Sequence, residues 1–380
     1  MNRIQPIDGL RAFAVIGVIW AHVWMFFGSQ PLFVAGINIH QFISFGGIGV
    51  DLFFVISGFC MYLMHSKNAS HFTGALYGNF IKKRWFRIAP AFYFVVLFES
   101  LKILYSLGSF PTKSFIYHLV FLNTFNNDNV LSPPLWSLAT EWHFYLILPF
   151  LFISDPLGKY LNVRVIGLMT VCLILRLWLY HGYDLTSGIT VPNDKIWYRF
   201  VEFGFGILAA RFYIQKRSLP FVFRGNIGFM LSFLLAFSGR LCMATAILAH
   251  FGKFSFIIRA FGEPILTCGF ALMILNLVDT DSIFKRLISA KPIVFLGKIS
   301  YSMYLWHWMI ASWISFSWIA RGGVSIINQE LAFVVSVLCC IPIAMISYRL
   351  FEAPYFKQRP KAIDMEIPRE GLNLMNGLRK

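Results

Sequence analysis

Chemistry in this chain starts with Arg11 and His22, two ionisable residues in one apolar stretch. A charge inside a bilayer is costly, so such residues usually mark a functional site. The two are eleven residues apart, which at about 100° per residue leaves them about 20° from alignment on one helix face. Asp8 lies close by if the helix reaches back that far. Three carboxylates match the depth of His22. Asp51 stands five residues inside the outer end of a second apolar segment, Glu141 seven beyond Pro134, and Glu202 six beyond Ile196. At about 1.5 Å per residue all four sit roughly 8–11 Å below the outer surface. A histidine beside carboxylates is what a general base needs, because the carboxylate fixes the tautomer and stabilises the imidazolium. A competing reading for Glu202 is an ion pair with Arg199, three residues earlier.

Two further groups carry chemical potential. Lys82-Lys83-Arg84-Trp85-Phe86-Arg87 reads as a topology signal or as a phosphate clamp, since an arginine fork fits phosphate oxygens. Ser300 to Trp308, with Trp306 and His307, reads as an interfacial aromatic belt or as the lining of a sugar cavity. The six cysteines lie in apolar runs without a CxxC pair, so they read as small buried hydrophobes rather than disulfides or metal ligands.

These groups need a membrane scaffold. Of 380 residues, 58% are hydrophobic and only 13% charged, against about a quarter charged in soluble domains. About 20 apolar residues cross a bilayer, and ten segments qualify: 9–28, 46–64, 88–107, 134–153, 165–181, 196–214, 226–245, 257–278, 293–319 and 329–350. The expected fold is an all-α, polytopic bundle of about ten transmembrane helices. Residues 114–125 are too short and mixed to span, and read as an interfacial or re-entrant piece. Basic residues gather in alternate linkers, which places both termini in the cytoplasm, although Arg240 and Lys253 fall on the supposed outer side. The net charge of +16 follows this pattern and suits anionic lipid rather than nucleic acid. The first segment reads as a retained helix, since no small-x-small cleavage site follows it. No internal repeat of the kind found in secondary transporters is evident. Residues 1–354 read as one membrane domain and 355–380 as a polar cytoplasmic tail with no appended domain.

In order along the chain, these residues resemble the acyltransferase-3 family of integral membrane acyltransferases, which modify bacterial envelope polysaccharides, Nod factors and some macrolides. Asp8-Gly9-Leu10-Arg11 through His22 is similar to its Arg, ten residues, His signature. Gly46 to Phe59, Arg84-Trp85-Phe86-Arg87 with Pro90, and Pro134-Leu135-Trp136-Ser137-Leu138 with Glu141, Phe144 and Tyr145 match three more elements. The resemblance covers about residues 4–354. It implies acyl transfer from cytosolic acyl-CoA to an acceptor outside, with His22 catalytic and Arg11 its companion. It also implies Arg84 and Arg87 for the donor, and Glu141 in the active site.

The expected activity is therefore O-acylation of an extracytoplasmic carbohydrate or lipid-linked glycan, with acetyl the expected group and the bacterial inner membrane the location. His22 is the base, with Arg11, Asp51 and Glu141 beside it; a covalent acyl-histidine is the alternative course. Trp136, Tyr145, Glu202, Trp306 and His307 are expected to contact substrate. Acyl-CoA is a substrate, and neither a resident cofactor nor a metal is expected. Rival readings are acylation of a secreted glycoside such as a macrolide, an ion-coupled transporter, and a receptor or assembly scaffold.

Overall fold

A computed structural model describes residues 4–34, 37–65, 74–125, 131–152, 159–185 and 193–354. The expected tail, 355–380, lies outside these. Backbone polar groups cannot reach water in a bilayer, so apolar segments close their hydrogen bonds as helices. The long helices are α1 (Gln5–Phe26), α2 (Gly49–His65), α3 (Gly74–Leu107), α6 (Leu161–His181), α7 (Ile196–Ile214), α8 (Gly225–Leu241), α10 (Ser255–Asp279), α12 (Lys291–Gly322) and α13 (Ile326–Ser347). Shorter pieces are α4 (Thr112–Leu119), α5 (Trp136–Ile147), α9 (Thr245–Leu248) and α11 (Ile283–Ile288). Each segment expected to span contains helix among its described residues. One small departure from an all-α chain is a two-stranded antiparallel ribbon, Phe33–Val34 against Ile37–Asn38.

Among the described residues six helices are long and apolar enough to cross a membrane: Gln5–Phe26, Phe45–Met64, Tyr77–Leu107, Leu161–His181, Ala249–Asp279 and Ile326–Glu352. Local sequence explains several boundaries. Pro6 and Pro292 open α1 and α12, where their missing N–H is not needed. Ser325 caps α13 by accepting from the Asn328 N–H. The 134–153 segment is not one spanning helix. Its core, α5, is only 12 residues long, flanked by 3-10 turns at Pro133–Leu135 and Leu148–Phe152. Pro134 and Pro149 each lack the N–H that a continuous helix would use there. The 88–107 segment starts earlier than expected, at Gly74, so Lys82 to Arg87 lie on α3 and not in a linker.

The closest pairings are α1 with α12, α2 with α7, α8 with α10, and α12 with α13. Small residues make the second of these possible. A Cβ at Gly58 would overlap the Phe203 backbone, and one at Gly206 would overlap the Val55 backbone, so the two helices meet main chain to main chain. This sets Asp51 of α2 beside Arg199 of α7. Segment 112–125 folds back rather than crossing, as α4 followed by a short turn, Asn123–Phe125. Phe121 takes a left-handed backbone, φ 56°, which is costly without glycine. Its buried ring lies 4.7 Å from Phe92 and 5.1 Å from Trp142.

Candidate active site

Helices α1 and α12 lie side by side, with Asp8 against Gly297 near their starts and His22 against His307 further along. His22 Nδ1 is 3.0 Å from His307 Nε2. The two rings stack at 5.1 Å, and Trp308 packs nearly perpendicular to His22 at 5.0 Å. His307 is fully buried, and its Nδ1 lies 2.6 Å from the Tyr304 carbonyl. The Tyr304 hydroxyl donates to the Pro134 carbonyl at 2.9 Å and is 2.7 Å from Ser137 Oγ. The start of α5 is thereby tied to the helix that holds His307.

The carboxylates expected beside His22 are elsewhere. Among the described residues no carboxylate hydrogen-bonds His22; its partner is another imidazole. Asp51 Oδ1 is 3.2 Å from Arg199 Nη1. The same nitrogen reaches Glu202 at 3.0 Å and Glu263 at 2.6 Å. Arg176 closes the group, 3.0 Å from Glu202 and in contact with Glu263 and the Tyr198 carbonyl. Oxygens of Asp51, Glu202 and Glu263 come within 4.8 Å of one another, a spacing that suits a cation. Here the guanidiniums of Arg176 and Arg199 supply most of the countercharge. Glu202 thus sits in a buried ion network with Arg176 and Arg199. Asn193 extends the network, donating to the Tyr180 hydroxyl at 3.0 Å and to Glu263 at 3.4 Å. Arg199 also lies 5.2 Å over the Trp136 ring and 5.7 Å over Phe54.

Glu141 belongs to a third group. It accepts from Ser57 Oγ at 2.8 Å and from the Tyr145 hydroxyl at 2.5 Å. Ser57 is six residues beyond Asp51 on α2, about 9 Å further along the helix. Glu141 therefore meets α2 at the level of Ser57 rather than of Asp51, because the first turn of α5 is held inside the bundle by Tyr304. Arg84, fully buried on α3, lies 5.8 Å from the Tyr145 ring and 5.4 Å from Phe80, with Nη2 2.6 Å from Met64 Sδ. Arg87 is in the electrostatic field of Tyr145, Glu141, Glu352 and Cys60. Arg11 donates to Asp8 at 3.1 Å and to Cys60 Sγ at 3.5 Å.

Three groups emerge: an imidazole pair at one level, an ion network beside Trp136, and an arginine-rich group with Glu141 and Tyr145. Trp306 joins none of them. It packs on Phe94 and Phe98 of α3, at 6.0 and 5.7 Å. Sequence reasoning missed Arg176 and Glu263. Both are ionisable residues inside apolar segments, the same signal that singled out Arg11 and His22.

A family model described as an acyltransferase domain matches residues 4–348. The chain is similar to O-acetyltransferase OatA of Staphylococcus aureus, strains NCTC 8325 and COL. Each is 28% identical over 383 residues, covering 94% of this chain and 58% of the relative. The chain therefore spans less than three fifths of the length of these curated relatives. No solved structure matches it. With a family match across nearly the whole chain and helices able to cross a membrane, this multi-pass protein belongs to the acyltransferase-3 family.

Proposed function

We propose that the chain is a membrane O-acyltransferase. It moves an acyl group, most simply acetyl, from acyl-CoA on the cytoplasmic side to a hydroxyl of a carbohydrate-containing acceptor on the other side. The observation that carries this reading is the arrangement along α1. His22 sits against the buried imidazole of His307, while Arg11, eleven residues away, bonds Asp8 and Cys60 Sγ, one turn of α2 beyond the Ser57 that meets Glu141. The names of the relatives, both O-acetyltransferases, support acetyl as the group. Ten crossings, one of them made by the broken segment around α5, both termini in the cytoplasm and a bacterial inner-membrane location complete the proposal.

In this mechanism the phosphates of the donor rest at Arg84 and Arg87, whose guanidiniums suit phosphate oxygens. Its acyl arm runs along α1 toward His22. The imidazole takes the proton of the acceptor hydroxyl as its oxygen attacks the thioester carbonyl. The carbon–sulfur bond then breaks, and the CoA thiolate leaves with that proton. Glu141 and Tyr145 line the donor end, where their mutual hydrogen bond holds them beside Arg84.

Inverted membrane vesicles, which turn the cytoplasmic face outward, test the reaction class. With labelled acetyl-CoA added outside, vesicles containing the protein should acquire alkali-labile ester label, and vesicles without it should not. A transporter or a scaffold would leave the label in acetyl-CoA, and that result would overturn the proposal.

A further inference from the structure

We infer that His307 is a positioning residue for the reaction, one that holds His22 in the single tautomer able to act as its base. The inference rests on the acyltransferase reading above and deepens it.

The argument follows hydrogen bonds inward from the backbone. A carbonyl oxygen can only accept, so the 2.6 Å contact with the Tyr304 carbonyl requires that His307 Nδ1 carry its proton. In a neutral ring the other nitrogen then has a free lone pair. His307 is fully buried, and among the described residues no carboxylate hydrogen-bonds it, so neutrality is the state its surroundings favour. His307 Nε2 is therefore an acceptor, and its 3.0 Å neighbour, His22 Nδ1, must donate. A proton on His22 Nδ1 leaves the lone pair on Nε2. One backbone carbonyl thus determines, through two rings, which atom of His22 can take a proton.

The rest of the setting keeps the relay in register. Tyr304, whose carbonyl anchors the chain, is itself fixed by its hydroxyl to Pro134 and Ser137. Trp308 packs nearly perpendicular to the His22 ring, restricting its rotation. A carboxylate does this orienting work in many histidine-based sites. Here an imidazole replaces it, with a different consequence. A neutral partner orients the base, but its charge cannot stabilise the imidazolium formed in the transition state. His307 does not touch the substrate in this scheme, so it acts on the rate and not on substrate affinity.

Four variants, assayed by acetyl-label transfer in inverted vesicles containing the native acceptor, test the inference. The rate per protein is read at saturating acetyl-CoA, together with the KM for acetyl-CoA. In H307Q the side-chain oxygen can replace Nε2 as the acceptor, so the rate should stay within about fivefold of wild type. H307N and H307L offer no acceptor at that position, so their rates should fall about 10²-fold at unchanged KM. H22A should lose about 10²–10⁴-fold. Should H307L misfold, Gln against Asn decides the matter, since both are polar and similar in size. The inference is overturned if H307N transfers as fast as wild type, if H307Q is as slow as H307N, or if the loss appears only in KM. Retained transfer by H22A would instead remove the reading on which the inference stands.

Discussion

Replacing His22 by alanine should lower acetyl transfer about 10²–10⁴-fold, the contribution of a positioned general base. By transition-state arithmetic this is about 3–5 kcal/mol of barrier. The change should leave the donor site intact. Arg84 and Arg87 lie with Tyr145 and Glu141, away from the His22–His307 pair, so the KM for acetyl-CoA should move little. The helix should also persist. His22 is only partly buried, and the contact between α1 and α12 extends from Asp8 and Gly297 to Phe26 and Phe316. Thermal unfolding in detergent separates the two effects. An inactive variant that melts near the wild-type temperature supports a chemical role, whereas near-normal transfer would exclude His22 as the base.

The second large effect concerns stability. Arg176 is fully buried and pairs with both Glu202 and Glu263. Arg176→Met keeps much of the apolar stem but leaves those carboxylates short of one positive charge in a dry interior. Breaking a buried pair from one side costs about 3–5 kcal/mol, because the remaining charge stays uncompensated. The variant should therefore lose a large part of its thermal stability or fail to accumulate. Adding Glu263→Gln should recover part of the loss, since it removes one of the stranded charges. A melting temperature unchanged by Arg176→Met would mean that the network does not hold α6, α7 and α10 together.

Much of this organisation was legible in the sequence, for a physical reason. A bilayer penalises charge so strongly that each intramembrane ionisable residue stands out against its apolar run. Arg11 and His22 fell on one helix because their spacing matches three turns, and α7 matched its expected bounds, 196–214, residue for residue. What the sequence could not show was register between helices. Counting depth requires knowing where a helix enters the membrane, and α5 begins inside the bundle, on a proline turn held by Tyr304. Glu141 consequently met Ser57, not His22. Asp51 and Glu202 did share a level, but Arg199 and Arg176 claimed both. His307 was visible as a candidate, yet its role depends on a 3.0 Å contact with a residue 285 positions away, which no local pattern encodes.

The groups are separated in space: an arginine-rich group with Glu141 and Tyr145, and an imidazole pair further along α1 and α12. On the proposed reading, donor and acceptor reach them from opposite sides of the membrane. Vesicles of the two orientations, compared side by side with labelled acetyl-CoA outside, test this most directly. Inverted vesicles, which expose the Arg84 and Arg87 face, should build up esterified label on acceptor inside, while sealed right-side-out vesicles should remain unlabelled. Equal labelling in both, or labelling only in the right-side-out preparation, would contradict it.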